Sequence, residues 1–391
     1  MIPIKSVSAS MLFIFMLSAC SSTHTLDKRV TEEIYQDVAV STVAEETHEP
    51  FRFWAGDNTQ FLYSQETGTT PLKVEGDQLN VLVLSGGGAK GAFGAGVING
   101  LNDSGSLDEY TIVTGISAGS LIAPFVFVGG DEIAHLKDVM VGINDKMIMG
   151  KRNFLNTVLK DAFTNGESLY GFIESVFTDE FIEKIAQQHR DGKRLFIGTT
   201  QFDSEELSIW NIGSIANSKM ENKQALIHQV LAASASIPGV FPPQFIKVNY
   251  KGQQYEELHV DGGMSLQMFF EPIGEDYQKI LTALGLSNKM QVHVIRNGML
   301  KMPYEAQKDS GMALLVRSLK SLTIQQNVGN LYQILYQGEV KQFDVGFTYV
   351  EDSFEAEPGS KDMFDTQFMN ALYEYGYKKG MTGSPWGQSL P

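Results

Sequence analysis

Val81-Leu-Val-Leu-Ser-Gly-Gly-Gly-Ala-Lys-Gly91 and Thr111-Ile-Val-Thr-Gly-Ile-Ser-Ala-Gly119 share one grammar: a short run of β-formers, a glycine-marked break, then an apolar stretch at helical spacing. The first predicts a strand over Asn80 to Leu84 and a helix from about Lys90 to Leu101. The second predicts a strand over Thr111 to Thr114 and a helix from Ala118 to about Val128. Strands separated by helices of that length imply a parallel sheet covered on both faces. Working outward, further strands are expected at Arg194 to Gly198, Leu207 to Asn211, Leu258 to Val260, Gln291 to Ile295 and Phe343 to Tyr349. Helices are expected at Lys223 to Ala233, Met312 to Tyr336 and Met363 to Lys379. The expected fold class is α/β, a three-layer α/β/α arrangement with a mostly parallel central sheet.

The glycines of the first stretch fit Gly86-x-Gly88-x-x-Gly91, a spacing that in dinucleotide-binding folds brings backbone close to a pyrophosphate at a helix N-terminus. That reading needs an acidic residue at the C-terminal end of the second strand. Asp108 and Glu109 precede that strand, its end carries Thr114 and Gly115, and no Gly-Lys-Ser/Thr follows for a P-loop. The second stretch instead places Gly115-x-Ser117-x-Gly119 between strand and helix, the context of a nucleophile elbow. There a serine sits on a sharp, strained turn and the flanking glycines admit neighbouring backbone. The helix from Ala118 also points its positive end at the hydroxyl. Attack by such a serine on an ester creates an oxyanion, which preorganised N–H donors stabilise by roughly 3 to 4 kcal/mol each. Three consecutive glycines on the neighbouring strand can present N–H groups unobstructed, so Gly86, Gly87 and Gly88 are the candidate donors. Lys90 either holds this loop and favours an anionic group or is a solvated lysine at a helix start.

A serine hydroxyl needs a proton acceptor, usually histidine. Among the histidines, His24 and His48 fall in a polar N-terminal stretch, His135, His189 and His228 on expected helices, and His259 and His293 on expected strands. None sits in a loop after a strand. Asp261-Gly262-Gly263 does, directly after Glu257-Leu-His-Val260, although Asp-Gly is also a common turn pair. Taken together, Gly-Gly-Gly-Ala-Lys-Gly at 86–91, Gly-Ile-Ser-Ala-Gly at 115–119 and Asp-Gly-Gly at 261–263 resemble, in order and spacing, the three signature blocks of the patatin-like phospholipases. Ile197-Gly-Thr-Thr200 and Ala233-Ser-Ala-Ser-Ile-Pro-Gly-Val-Phe-Pro-Pro243 are similar too, and the likeness spans about Asn80 to Gly263. The resemblance implies a patatin-like fold and a lipid acyl hydrolase. It assigns the oxyanion hole to the glycine loop, with Lys90 and Gly91 supporting it, and the nucleophile to Ser117 between Gly115 and Gly119. The general base is Asp261, ahead of Gly262 and Gly263, working without histidine; no cofactor and no metal is implied. Ser85 stands where many members carry aspartate, with little consequence expected. Met264-Ser-Leu-Gln-Met-Phe-Phe270 is unusually apolar and either lines an acyl site or belongs to the core.

The 391 residues are 43% hydrophobic, which marks a globular chain with room for one large or two ordinary domains. Lys5 followed by Met11-Leu-Phe-Ile-Phe-Met-Leu17 and small residues reads as a signal peptide over residues 1–19; a bilayer span would take about 20 apolar residues. Leu17-Ser-Ala-Cys20 looks like a lipobox, the alternative being an incidental cysteine. Cys20 is the chain's single cysteine, so no disulfide framework exists. On the lipobox reading Cys20 carries acyl chains that anchor an exported lipoprotein of the cell envelope, and Ser21 after it suggests the outer membrane. Residues 20–75 are expected to form a tether and docking segment, polar and acidic to about Glu49, with Phe51-Arg-Phe-Trp54 and Phe61-Leu-Tyr63 docked on a domain filling 76–391. The formal charge of −16 becomes −17 once Lys5 is lost with residues 1–19. That charge repels phosphate backbones, and no Lys/Arg cluster offsets it, so nucleic acid is not an expected partner. The expected partners are a lipid acyl ester and, through Cys20, a membrane. Phe154, Leu155, Val158, Leu159, Ala162 and Phe163 recur at helical spacing, as a lid or as a core-facing stripe. Two rival readings remain: a catalytically silent surface lipoprotein that uses the fold for binding, and a dinucleotide-binding protein.

Overall fold

The computed structural model describes residues 28–40, 49–64, 72–148, 167–270, 273–360 and 362–389. Residues 1–19, Cys20, His24, His48 and the apolar stretch 154–163 lie outside the described residues. Among the described residues the strands are β1 (Arg52–Trp54), β2 (Asn80–Leu84), β3 (Ile112–Ile116), β4 (Arg194–Gln201), β5 (Glu206–Asn211), β6 (Gln244–Tyr250), β7 (Gln253–Asp261), β8 (Gln291–Ile295) and β9 (Asp344–Thr348). They form one sheet in the order β1-β5-β4-β3-β2-β8-β9, with β7 joined to β4 and β6 joined to β7. The centre, from β4 through β3, β2 and β8 to β9, is parallel. The flank of β1, β5, β6 and β7 is antiparallel, which the pattern of β and α runs did not signal.

Successive side chains of a strand point to opposite faces, and the central strands sort accordingly. Leu82, Leu84 and Val113 enter one core, while Val81, Val83, Ile112 and Ile116 enter another. The first core is covered by α1 (Gly91–Asp103), α2 (Ala118–Val128), α3 (Leu136–Gly142), α4 (Glu167–Val176), α5 (Asp179–Arg190), α6 (Lys223–Ser234) and α9 (Thr366–Gly380). The second lies beneath α7 (Ile273–Leu284) and the C-terminal half of α8 (Gly311–Lys341), through Tyr277, Ile280, Leu331 and Ile334. This is the three-layer α/β/α arrangement. Met268, Phe269 and Phe270 are buried in the second core, which settles the apolar 264–270 stretch as mainly core rather than an acyl site.

The register of β4 determines where the motifs meet. One edge of β4 pairs with β5, and the other is shared by two strands. β3 pairs with it up to Ile116 opposite Gly198, and β7 pairs from the other direction with Asp261 opposite Thr199. Two strand ends therefore abut on consecutive residues of β4, one followed by Ser117 and the other terminating in Asp261.

The N-terminal stretch expected as a tether to Glu49 touches the body earlier than that. Arg29 and Ala39 bridge to Glu256 and Asn249 of the β6–β7 hairpin. Glu49 is buried, with Oε1 2.7 Å from Arg194 Nε and accepting from Asn211 Nδ2. Arg52 on β1 forms a buried ion pair with Glu257.

Candidate active site

Ser117 has φ 53° and ψ −122°, backbone angles that place it off the strand and ahead of the first turn of α2. A non-glycine residue there stores strain of order 1 to 3 kcal/mol. The flanking glycines make the turn possible: a Cβ on Gly119 would fall inside the contact surface of the Leu84 carbonyl at the end of β2, and one on Gly115 would crowd the Gly119 carbonyl. The Ser117 N–H donates to Ser234 Oγ at 3.0 Å, and Ser234 Oγ donates to the Gly198 carbonyl at 2.8 Å. The Ala233–Pro243 block thus ties the elbow to β4 through Ser234.

Ser117 Oγ donates to Asp261 Oδ2 at 2.6 Å, and Asp261 Oδ1 accepts from the Gly263 N–H at 2.7 Å. Thr200 Oγ1 donates to the Asp261 carbonyl, and the Asp261 N–H donates to the Ser236 carbonyl, so backbone and side chain are both fixed. Burial raises the Asp261 carboxyl to a pKa of about 6, against the hydrogen bonds from Ser117 and Gly263, which pull it down. No described histidine bonds to either residue. His259 lies between Thr199 Oγ1 (2.9 Å) and Glu257 (3.2 Å) with its ring edge on Trp210. His293 bonds to the Tyr110 hydroxyl and stacks on Trp386.

The glycine loop runs past Ser117 but is not uniform. Gly86 lends its N–H to the Gln267 carbonyl at 2.9 Å, so that donor is engaged and the expectation of three free donors is corrected to two. Gly87 and Gly88 have no acceptor for their N–H groups among the described residues, and Gly88, with φ 56°, lines the same cleft as Ser117. Gly87 needs its missing side chain, since a Cβ would overlap the Asn297 carbonyl. Ser85 is not inconsequential: its Oγ accepts from the Asn297 N–H and donates to the Gly86 carbonyl, both at 2.8 Å.

Two residues at the end of β8 went unread in the sequence. Asn297 binds the Ser85 carbonyl through Nδ2, and its Oδ1 accepts from the Gly94 N–H. Arg296 is buried with no carboxylate partner among the described residues, and its Nη1 donates to the carbonyls of Gly86 (2.9 Å) and Asn297 (2.7 Å). Burial lowers its pKa to about 9. Lys90 is not a freely solvated lysine: burial first, then Arg296 and Lys320, bring its pKa down to about 8.

The cleft at Ser117 is apolar and narrow, with Leu121, Met140, Leu169, Ile237, Phe241 and Met369 in its walls and room for about 30 Å³. A larger polar hollow at the opposite end of the sheet, among Lys73, Asn102, Glu109 and Lys193, contains no residue of the three motifs. Asp108, the ribose-binding candidate of the dinucleotide reading, lies beside His293 and Tyr110, at the opposite end of β3 from Ser117.

An uncharacterized protein of Acanthamoeba polyphaga mimivirus is 26% identical over 217 residues, which are 54% of this chain and 67% of its own length. Among solved structures, VipD from Legionella pneumophila is 15% identical with a TM-score of 0.38, over 79% of this chain and 67% of its own. The type III effector protein ExoU is 13% identical with a TM-score of 0.33, over 78% and 53%. The model of the patatin-like phospholipases matches residues 82–272, a span that holds the glycine loop, the Ser117 elbow and Asp261-Gly-Gly, and over those residues the chain carries a patatin-like phospholipase domain.

Proposed function

We propose that the chain is a lipid acyl hydrolase that cleaves carboxylic ester bonds of phospholipid-like substrates with Ser117 and Asp261. The observation that carries this reading is the 2.6 Å hydrogen bond from Ser117 Oγ to Asp261 Oδ2 beside a cleft walled by apolar side chains. An acyl chain would lie in that cleft with its ester carbon over Ser117. Asp261 takes the hydroxyl proton as Oγ attacks the carbonyl, and the oxyanion is held by the N–H groups of Gly87 and Gly88. Collapse expels the alcohol, which leaves with the proton. Water activated by Asp261 then releases the fatty acid and restores Ser117. The same proposal exports the chain and holds it at the cell envelope, in the outer membrane, through acylated Cys20.

A mixed lipid extract tests the reading. Free fatty acid should appear with the protein and not with Ser117→Ala, and a fluorophosphonate should modify Ser117 as mapped by peptide mass. Equal turnover by Ser117→Ala would remove the nucleophile assignment.

A further inference from the structure

Among the described residues thirteen large apolar side chains are exposed, and eight of them lie on α8. Leu315, Leu319 and Leu322 follow at i, i+4 and i+7, so they form one stripe, and they are 53%, 56% and 66% exposed. A contiguous apolar patch of this kind on a soluble body marks a docking surface. The helix is fixed where it passes the site. Gln326 Nε2 donates to the Ser265 carbonyl, Gln326 Oε1 accepts from Gln267, and Asn330 Oδ1 accepts from the Gln267 N–H. Gln267 in turn holds Gly86 of the glycine loop. The exposed stripe therefore starts about one turn from the residues that frame the loop. Charge on this helix also departs from the rest of the chain. Between Asp309 and Glu339 there is no carboxylate, whereas Arg317 and Lys320 are present, in a chain of net charge −16.

We propose that the N-terminal half of α8 docks on a phospholipid bilayer, with Leu315, Leu319 and Leu322 at the acyl boundary and Arg317 and Lys320 among the phosphates. The inference rests on the acyl hydrolase reading, because the helix is tied through Gln267 to the glycine loop that runs past Ser117. Charge complementarity selects a lipid surface: beside the leucines the helix itself carries Lys320 and Arg317, the latter also paired with Glu305 at 3.2 Å, and no carboxylate before Glu339, which suits phosphate headgroups, and each cation should raise partitioning onto anionic lipid about fivefold.

The full chain with Leu315→Asp, Leu319→Asp and Leu322→Asp is compared with the parent on a dissolved short-chain ester and on vesicles of phosphatidylcholine with phosphatidylglycerol. Because all three positions are exposed, the rate on the dissolved ester should stay within about twofold, and the rate on vesicles should fall by roughly tenfold or more. Arg317→Gln with Lys320→Gln should weaken the vesicle reaction only when anionic lipid is present. Leu319→Trp gives a local readout, since its emission should be quenched by lipids brominated in the acyl chain. An unchanged vesicle rate for the triple variant, or an unquenched Trp in protein that sediments with vesicles, overturns the proposal. So does a parent dimer that the triple variant dissociates, which would assign the stripe to a second copy of the chain. A parent inactive on the dissolved ester sinks the hydrolase reading instead, and the quenching still decides the docking.

Discussion

Asp261 is 5% exposed, and its raised proton affinity follows from loss of water around the charged form. On the proposed mechanism the ionised carboxylate is the active form, so kcat/KM should climb with pH through about 6 and level off above it. The stability effect has the opposite sign. The folded carboxyl keeps its proton to about pH 6 while the unfolded one releases it near 3.8, so this group destabilises the fold as pH rises through that window. The gap is worth on the order of 3 kcal/mol. Asp261→Asn should therefore lower the rate by about 10² to 10⁴ and at the same time raise the melting temperature at pH 8, with no gain at pH 4. A variant that loses activity and melts lower at both pH values would point to misfolding. His259→Gln should keep most of the rate, because its ring serves Thr199 and Glu257. The Arg296 bond to the Gly86 carbonyl fixes the peptide whose other end is the Gly87 N–H, so Arg296→Gln should reduce kcat more than it changes KM. Ser117 and Asp261 were legible because each ends a strand within a short glycine pattern. Ser234 and Arg296 were not: they act on residues 117 and 210 positions away, and no local spacing marks such a bond.

Strands buried on both faces read as continuous apolar runs, which is why the expected bounds of β2 and β8 coincide with the observed ones. β6 escaped because it is half exposed. Ile246 and Val248 are buried and Lys247 points to water, and its hairpin turns on Lys251-Gly252, both with positive φ, rather than on the commoner Asn-Gly. α5 is legible only as a helix at His189, without bounds, although Thr178 caps it and Asp179 and Glu180 fill its first turn. The closest packing between elements joins α1 to α9, whose backbones touch through glycines on both helices. A Cβ on Gly96 would overlap the Tyr373 carbonyl, and one on Gly376 would overlap that of Phe93. Residues 366–380, beyond the family match, are thus part of the layer that carries the glycine-loop helix. Gly96→Val should force the helices apart and cost at least about 1 to 3 kcal/mol. Thermal melting reads it, and Gly142→Ala, where a Cβ meets nothing, is the control.

At the scale of the whole molecule the described parts of the N-terminal segment, 28–40 and 49–64, belong to the body, which its polar composition hid. Tether and strap look alike in sequence when the strap is held by ion pairs rather than by an apolar face. Glu49 shows the difference: it compensates Arg194, which is fully buried at the start of β4. Glu49→Gln removes the carboxylate whose Oε1 lies 2.7 Å from that cation's Nε and should cost about 3 to 5 kcal/mol. Arg29→Gln, which breaks only the partly exposed pair with Asp203, should cost less than about 1 kcal/mol. Equal melting of the two variants would show the segment to be dispensable. The early docking also limits the proposed anchor. Eight residue-to-residue steps separate Cys20 from Lys28, and a chain spans at most about 3.6 Å per step, so the body could stand no more than roughly 30 Å from an acylated Cys20. With so short a reach the α8 stripe and the anchor would have to engage the same membrane. Cys20→Ser should then release the protein, or leave it unprocessed, and lower hydrolysis of envelope lipid while the rate on a dissolved short-chain ester stays unchanged. Correctly cleaved Cys20→Ser protein that still fractionates with membranes at the parent level would mean that the attachment lies elsewhere in the chain.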